Sequence, residues 1–187
     1  MKFIETGIPD VKIIEPQVFR DDRGYFLETF RQDLFDENIG QTIFVQENQS
    51  RSSKGTLRGL HYQTSNTQGK LVRVTRGEVF DVAVDMRQDS LSFGKWVGVI
   101  LSEQNMRQLW VPPGFAHGFY VTSEIADLAY KCTDKYNSEA EISVLWNDKD
   151  IKIEWPFCEN IELTLSDKDK KGSSFKQAPK FKGYFCG

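Results

Sequence analysis

Apolar and polar residues alternate in short runs along most of this chain, and the period is two rather than 3.6. The clearest runs are Leu71-Val72-Arg73-Val74-Thr75 and Val79-Phe80-Asp81-Val82-Ala83-Val84-Asp85. Such alternation gives a strand one buried face. Between them, Arg76-Gly77-Glu78 offers a glycine for the positive φ of a tight hairpin, so these two strands are expected to pair. By the same criteria strands are predicted at residues 12–14, 17–19, 25–30, 43–48, 55–63, 70–76, 78–87, 95–101, 108–111, 118–121, 127–132 and 142–146. Asp21-Asp22-Arg23-Gly24 and Pro112-Pro113-Gly114 read as turns. The only helical patterns are brief: residues 33–40, closed by Gly40, and a helical turn at Ser166-Asp167-Lys168-Asp169.

Many short strands punctuated every 8–12 residues point to a mainly β fold, a sandwich or closed barrel of the jelly-roll type with a few short helices. The length of 187 residues fits one domain with one core, followed by a polar, irregular tail from about residue 165. A net charge of -3 with cations spread along the chain provides no basic face for nucleic acid. No run approaches the roughly 20 apolar residues of a membrane span, and the start of the chain lacks the apolar core of a signal peptide, so the expected location is cytoplasmic. Cys132, Cys158 and Cys186 are too far apart for a zinc site and odd in number, and are read as plain thiols.

The candidate chemistry is concentrated. Of the two histidines, His61 lies in Thr56-Leu57-Arg58-Gly59-Leu60-His61-Tyr62-Gln63 and His117 in Pro112-Pro113-Gly114-Phe115-Ala116-His117. Histidines on β-barrel strands first raise the question of a metal. The second block has the Pro-x-Gly-x-x-His form of metal-binding cupins. The first has Gln63 where their His-x-His would place its second ligand, so no metal is expected. Without one, an imidazole serves as an acid–base group, its ordinary pKa of about 6.5 allowing it to carry a proton either way. Arg58 is three residues from His61 and falls on the opposite face of an ideal strand. Aiming both inward requires a bulge, which Gly59 permits. A core histidine with satisfied hydrogen bonds is the bland alternative.

Asp22-Arg23-Gly24, Gln46-x-Asn48-x-Ser50, the Thr56–Gln63 block with Gly55 before it, Gly77-Glu78-Val79-Phe80-Asp81-Val82, the proline-rich block with Gly118-Phe119 after it, and Leu165-Ser166-Asp167-Lys168-Asp169 occur together and in order. Together they resemble the dTDP-4-dehydrorhamnose 3,5-epimerase family, a metal-free branch of the cupins, over residues 3–175. The resemblance implies a double-stranded β-helix of jelly-roll type and a cofactor-free epimerase. Its substrate would be a dTDP-linked 4-keto-6-deoxy sugar, dTDP-4-dehydro-6-deoxy-D-glucose, inverted at C3 and C5.

By that resemblance His61 is the base, Asp169 its partner, Lys70 the group facing the enolate oxygen and Tyr130 the acid. Arg23 and Arg58 are implied for the diphosphate, and Gln46, Asn48 and His117 for sugar or phosphate. Tyr136 would line the site and Lys168 face a phosphate. Phe26 and Glu28 would hold thymine from a neighbouring subunit, implying a homodimer with exchanged N-terminal strands. Two departures are noted: Lys135 where many relatives carry an aromatic, and Cys132 where many carry threonine. The same motifs admit three alternatives: an epimerase acting at one centre of a related nucleotide sugar, a non-catalytic nucleotide-sugar binder, and a metal-dependent oxygenase.

Overall fold

The computed structural model describes residues 1–182; Cys186, read from the sequence as a plain thiol, lies outside the described residues. In chain order the elements are β1 (Lys2–Glu5), β2 (Lys12–Glu15), β3 (Val18–Asp21), β4 (Gly24–Leu27), α1 (Gln32–Asn38), β5 (Gln46–Ser53), β6 (Leu57–Gln63) and β7 (Lys70–Arg76). They continue with β8 (Glu78–Asp85), β9 (Trp96–Ser102), β10 (Gln108–Val111), β11 (Phe115–Val121), β12 (Ile125–Cys132), β13 (Glu141–Ser143) and α2 (Asp167–Lys170).

Two antiparallel sheets face each other in a cupin-like jelly roll. One runs β1-β2-β10-β7-β12-β5 and the other β13-β6-β11-β8-β9, while β3 and β4 form a separate two-stranded ribbon. The alternation read from the sequence explains the layering. Val72 and Val74 of β7, Val79 and Ala83 of β8 and Leu128 of β12 meet Leu101, Phe115 and Phe119 in the core between the sheets. Their intervening neighbours point outward and are also covered. Leu71 and Trp110 pack with Ile14 and Phe35 of α1, and Phe44 closes on Phe35 and Trp110 in edge-to-face contacts.

The outer face of the five-stranded sheet carries Val82, Val84, Ala116 and Tyr120, which pack against Ile151, Trp155, Ala178 and Phe181 from the C-terminal segment. Between residue 165 and the end of the described residues the only helix is the one-turn α2, and this segment forms the lid of a second core. Tyr62 of β6 ties it down by donating its hydroxyl to the Pro179 carbonyl (2.5 Å). That coverage accounts for β8 and β11, which are apolar on both faces and nearly fully buried.

The expected pairing around Gly77 does not form. β7 pairs with β10 and β12, whereas β8 pairs with β11 and β9, so Arg76-Gly77-Glu78 is a corner between sheets rather than a hairpin. Gly77 is required there for two reasons: its φ is +75°, and a Cβ would lie 2.0 Å from the Ile125 carbonyl oxygen. Other boundaries shift too. The strand expected at 43–48 starts at Gln46 and runs to Ser53, and the one expected at 25–30 stops at Leu27. Among the described residues no helix is long and apolar enough to cross a membrane.

Candidate active site

The cleft between the two sheets opens beside β6. The three steps along β6 from Arg58 to His61 match only two along β11, from Phe119 to His117, so the ladder carries a bulge there. Gly59 is the cause, with φ of +113° and its position occupied so closely that a Cβ would sit 2.5 Å from Gly118 Cα. The bulge returns Arg58 and His61 to one side of the strand, and both line the same cavity, as the spacing required.

His61 Nε2 lies 2.6 Å from Asp169 Oδ1 across 108 residues of sequence. A carboxylate can only accept, so Nε2 carries the proton and, in the neutral ring, the lone pair resides on Nδ1. Asp169 is buried and comes from α2, whose N-cap Ser166 donates its hydroxyl to Asp169 Oδ2 (2.6 Å). Burial alone would raise the Asp169 carboxyl, but His61, Ser166 and the Gly59 amide outweigh it and hold the group below its usual range.

Lys70 and Tyr130 face this dyad from the other sheet. They are on the neighbouring strands β7 and β12, with Lys70 Nζ 5.9 Å from the Tyr130 ring centre. Burial pushes the Lys70 ammonium down, against the opposing pull of nearby Cys132, Glu141 and Asp81. It likewise pushes the Tyr130 phenol up, with Arg58 opposing, so the phenol is protonated at neutral pH. His61, Lys70 and Tyr130 line both of two adjoining cavities of about 320 and 590 Å³. Either is large enough for a ligand of several hundred daltons.

The smaller cavity also holds Gln46, Asn48 and Tyr136. These are linked, since the Tyr136 amide donates to Gln46 Oε1, Gln46 Nε2 to Asn48 Oδ1, and Asn48 Nδ2 to Cys132 Sγ. The larger cavity holds Arg58, His117 and Lys168, and the Arg58 guanidinium and Lys168 ammonium suit it to an anionic ligand. Arg58 Nε donates to Ser52 Oγ (3.1 Å).

Two carboxylates without an assigned part in the sequence reading complete the site. Asp81, fully buried, accepts from His117 Nε2 through both oxygens (2.8 and 3.0 Å). Glu141 on β13 accepts from the Tyr136 hydroxyl (2.7 Å), pairs with Lys168 and stands 4.0 Å from His61 Nδ1. Burial would raise its carboxyl, but Lys168, Tyr136 and His61 prevail and keep it low. Asp81 lies within one of the quoted motifs and its alternation places it inward. Glu141 sits in a polar run, Ser138-Glu139-Ala140-Glu141, with no comparable signal. Gln63, where a metal histidine was missing, instead donates to the carbonyls of Asn66 and Lys135 and accepts from the Asn137 amide, bracing the loop before β13.

Arg23, Phe26 and Glu28 line neither cavity. They belong to the β3–β4 ribbon or its exit, where Arg23 pairs with Asp21 (2.5 Å) and Phe26 is 70% exposed.

A jelly roll of the cupin type whose cleft sets a His–Asp dyad opposite a lysine and a tyrosine is a protein equipped for proton transfer on an anionic ligand. Comparison with known proteins identifies the family. The dTDP-4-dehydrorhamnose 3,5-epimerase family model matches residues 5–177, and the chain belongs to that family. The dTDP-4-dehydrorhamnose 3,5-epimerase of Neisseria gonorrhoeae is 59% identical over 180 residues, covering 96% of this chain; the chain spans only 54% of that relative's length. The Pseudomonas aeruginosa enzyme of the same name is 53% identical over 182 residues, covering 97% of this chain and 99% of its own. The crystal structure of dTDP-6-deoxy-D-glucose-3,5-epimerase from Legionella pneumophila, in complex with dTDP-4-keto-L-rhamnose, superposes with a TM-score of 0.92. It is 52% identical, with 95% of this chain and 94% of that one covered.

Proposed function

We propose that the protein is a dTDP-4-dehydrorhamnose 3,5-epimerase, converting dTDP-4-dehydro-6-deoxy-D-glucose to dTDP-4-dehydro-L-rhamnose. The observation that carries this reading is His61 on one sheet, paired with Asp169 of α2, facing Lys70 and Tyr130 on the other sheet. Inverting a carbon next to a ketone needs a base on one face of the sugar ring and an acid on the opposite face. A cleft whose two walls supply one each meets that demand without a cofactor.

In this mechanism His61 Nδ1 removes the proton from C5 or C3, and Asp169 stabilises the imidazolium that forms. The electron pair moves onto the C4 oxygen as an enolate, which Lys70 stabilises as a cation or as a hydrogen-bond donor. Tyr130 then delivers its phenolic proton to the other face of the carbon. Arg58, His117 and Lys168 bind the diphosphate, Gln46 and Asn48 the sugar or phosphate, and Tyr136 lines the sugar pocket. Positioned proton transfer typically contributes about 10²–10⁴-fold, so His61→Asn should lose at least that much.

The ribbon completes the substrate site in a homodimer. Phe19, Tyr25 and Phe26 are 53, 57 and 70% exposed, an apolar patch that a partner subunit would cover. Phe26 and Glu28 would then reach the thymine in the partner's cleft, with Arg23 on the diphosphate. A cytoplasmic location suits a nucleotide-sugar substrate.

Incubation with the 4-keto sugar nucleotide in D₂O tests the proposal. Deuterium at both C3 and C5 of the product is expected. Label at one carbon alone would instead identify a single-centre epimerase, and no label would leave only a nucleotide-sugar binder.

A further inference from the structure

We infer that Ser166 is a positioning residue for the base: its hydroxyl holds Asp169 in the orientation that keeps His61 competent. This rests on the reading of His61 and Asp169 as the base and its partner. Asp169 Oδ1 is shared by His61 Nε2 (2.6 Å) and the Gly59 amide (3.4 Å). Oδ2 receives the Ser166 hydroxyl at 2.6 Å. The Asp169 amide in turn donates to Ser166 Oγ (3.1 Å), so one hydroxyl fixes both the backbone and the carboxylate of the same residue.

Three features make this contact matter beyond capping a short helix. Asp169 is only 2% exposed, so an oxygen deprived of its donor has little water to replace it. A carboxylate held at one oxygen alone can rotate about its Cβ–Cγ bond and leave Nε2. Finally, α2 has one turn and cannot by itself fix the direction of a side chain to within the tolerance of a 2.6 Å hydrogen bond. The segment is anchored on both sides by strand-like bridges, Thr56 with Thr164 and Val144 with Ser173. Between those anchors, Ser166 ties the carboxylate itself.

Ser166→Ala tests the inference, with Ser166→Thr and Asp169→Asn beside it. For Ser166→Ala, kcat should fall about 10- to 100-fold, the range expected for loss of one hydrogen bond to a charged group. KM should stay within about twofold, because the uniform binding contacts are intact. The acid limb of the kcat/KM profile should move to lower pH, since the imidazolium loses a fixed anion. The downfield ring N–H proton of His61, readily assigned with only two histidines in the chain, should move upfield or broaden. Ser166→Thr should recover most of the activity. A lower unfolding midpoint with unchanged kcat, pH profile and N–H resonance would overturn the inference by reducing Ser166 to a helix cap. If Asp169→Asn itself kept full activity, the dyad reading would fail, and the role of Ser166 with it. Loss in Asp169→Asn but not in Ser166→Ala would refute the inference alone.

Discussion

Replacing Gly59 with alanine would test whether one backbone position sets the geometry of the whole site. The added Cβ would lie 2.5 Å from Gly118 Cα and 2.7 Å from the His117 carbonyl oxygen, both backbone atoms that cannot swing aside. The φ of +113° adds strain that an L-residue avoids. A backbone held in such a region costs about 1–3 kcal/mol, and overpacking a tight contact about 1–3 kcal/mol more. The expected loss is therefore about 2–6 kcal/mol, a large part of the roughly 5–15 kcal/mol of a typical domain. Urea unfolding measures it, with Gly7→Ala as control, because nothing lies within 4 Å of a Cβ there. The activity should fall even under conditions where the variant remains folded. Relief of the clash must separate β6 from β11 and so displace Arg58 and His61 together, and a misplacement near 1 Å can cost about 10²-fold. A stability loss under about 1 kcal/mol with unchanged kcat/KM would refute the reasoning.

Asp85 is buried and accepts from the Arg87 guanidinium and amide and from the hydroxyls of Ser90 and Ser92; burial alone would raise its carboxyl, but these donors hold it below the usual range. The stabilisation is present above the unfolded-state value near 4 and fades as pH falls through the lower folded value. Asp85→Asn should accordingly destabilise by about 3–5 kcal/mol at neutral pH and flatten the decline of stability below about pH 4, as urea midpoints across the pH range would reveal. Phe26→Asp should shift the sedimentation of the protein from dimer to monomer and raise KM for the nucleotide sugar; an unaltered mass and KM would count against the exchanged ribbon.

How far the sequence foretold this structure differs by element. The alternation of β7 and β8 gave their buried faces correctly because burial acts residue by residue. It misjudged their pairing because a glycine with positive φ serves a hairpin and a corner between sheets equally well, and only distant strands decide. β5, Gln-Glu-Asn-Gln-Ser-Arg-Ser-Ser, has no apolar alternation at all. It is an edge strand bordering the cleft, where Gln46 and Asn48 line the cavity with polar groups. The bulge at Gly59 was foreseeable from the mismatch between a three-residue spacing and a two-residue period. The pairing of His61 with Asp169, 108 residues apart, came from motif resemblance, since no local pattern carries it. Glu141 and Ser166 went unassigned for the same reason: their partners are brought to them by the fold.

The distribution of the proposed reacting groups over two sheets has a mechanical consequence. His61 is carried by one layer of the sandwich and Lys70 and Tyr130 by the other, and what separates the layers is the slab of Val72, Val79, Leu101, Phe119 and Leu128. Those side chains act as the spacer of a vice. A change of volume among them would alter how far the jaws stand apart, and so the distance a proton must bridge on each side of a sugar ring. Substitutions deep in the interior and remote from the cleft would then tune turnover.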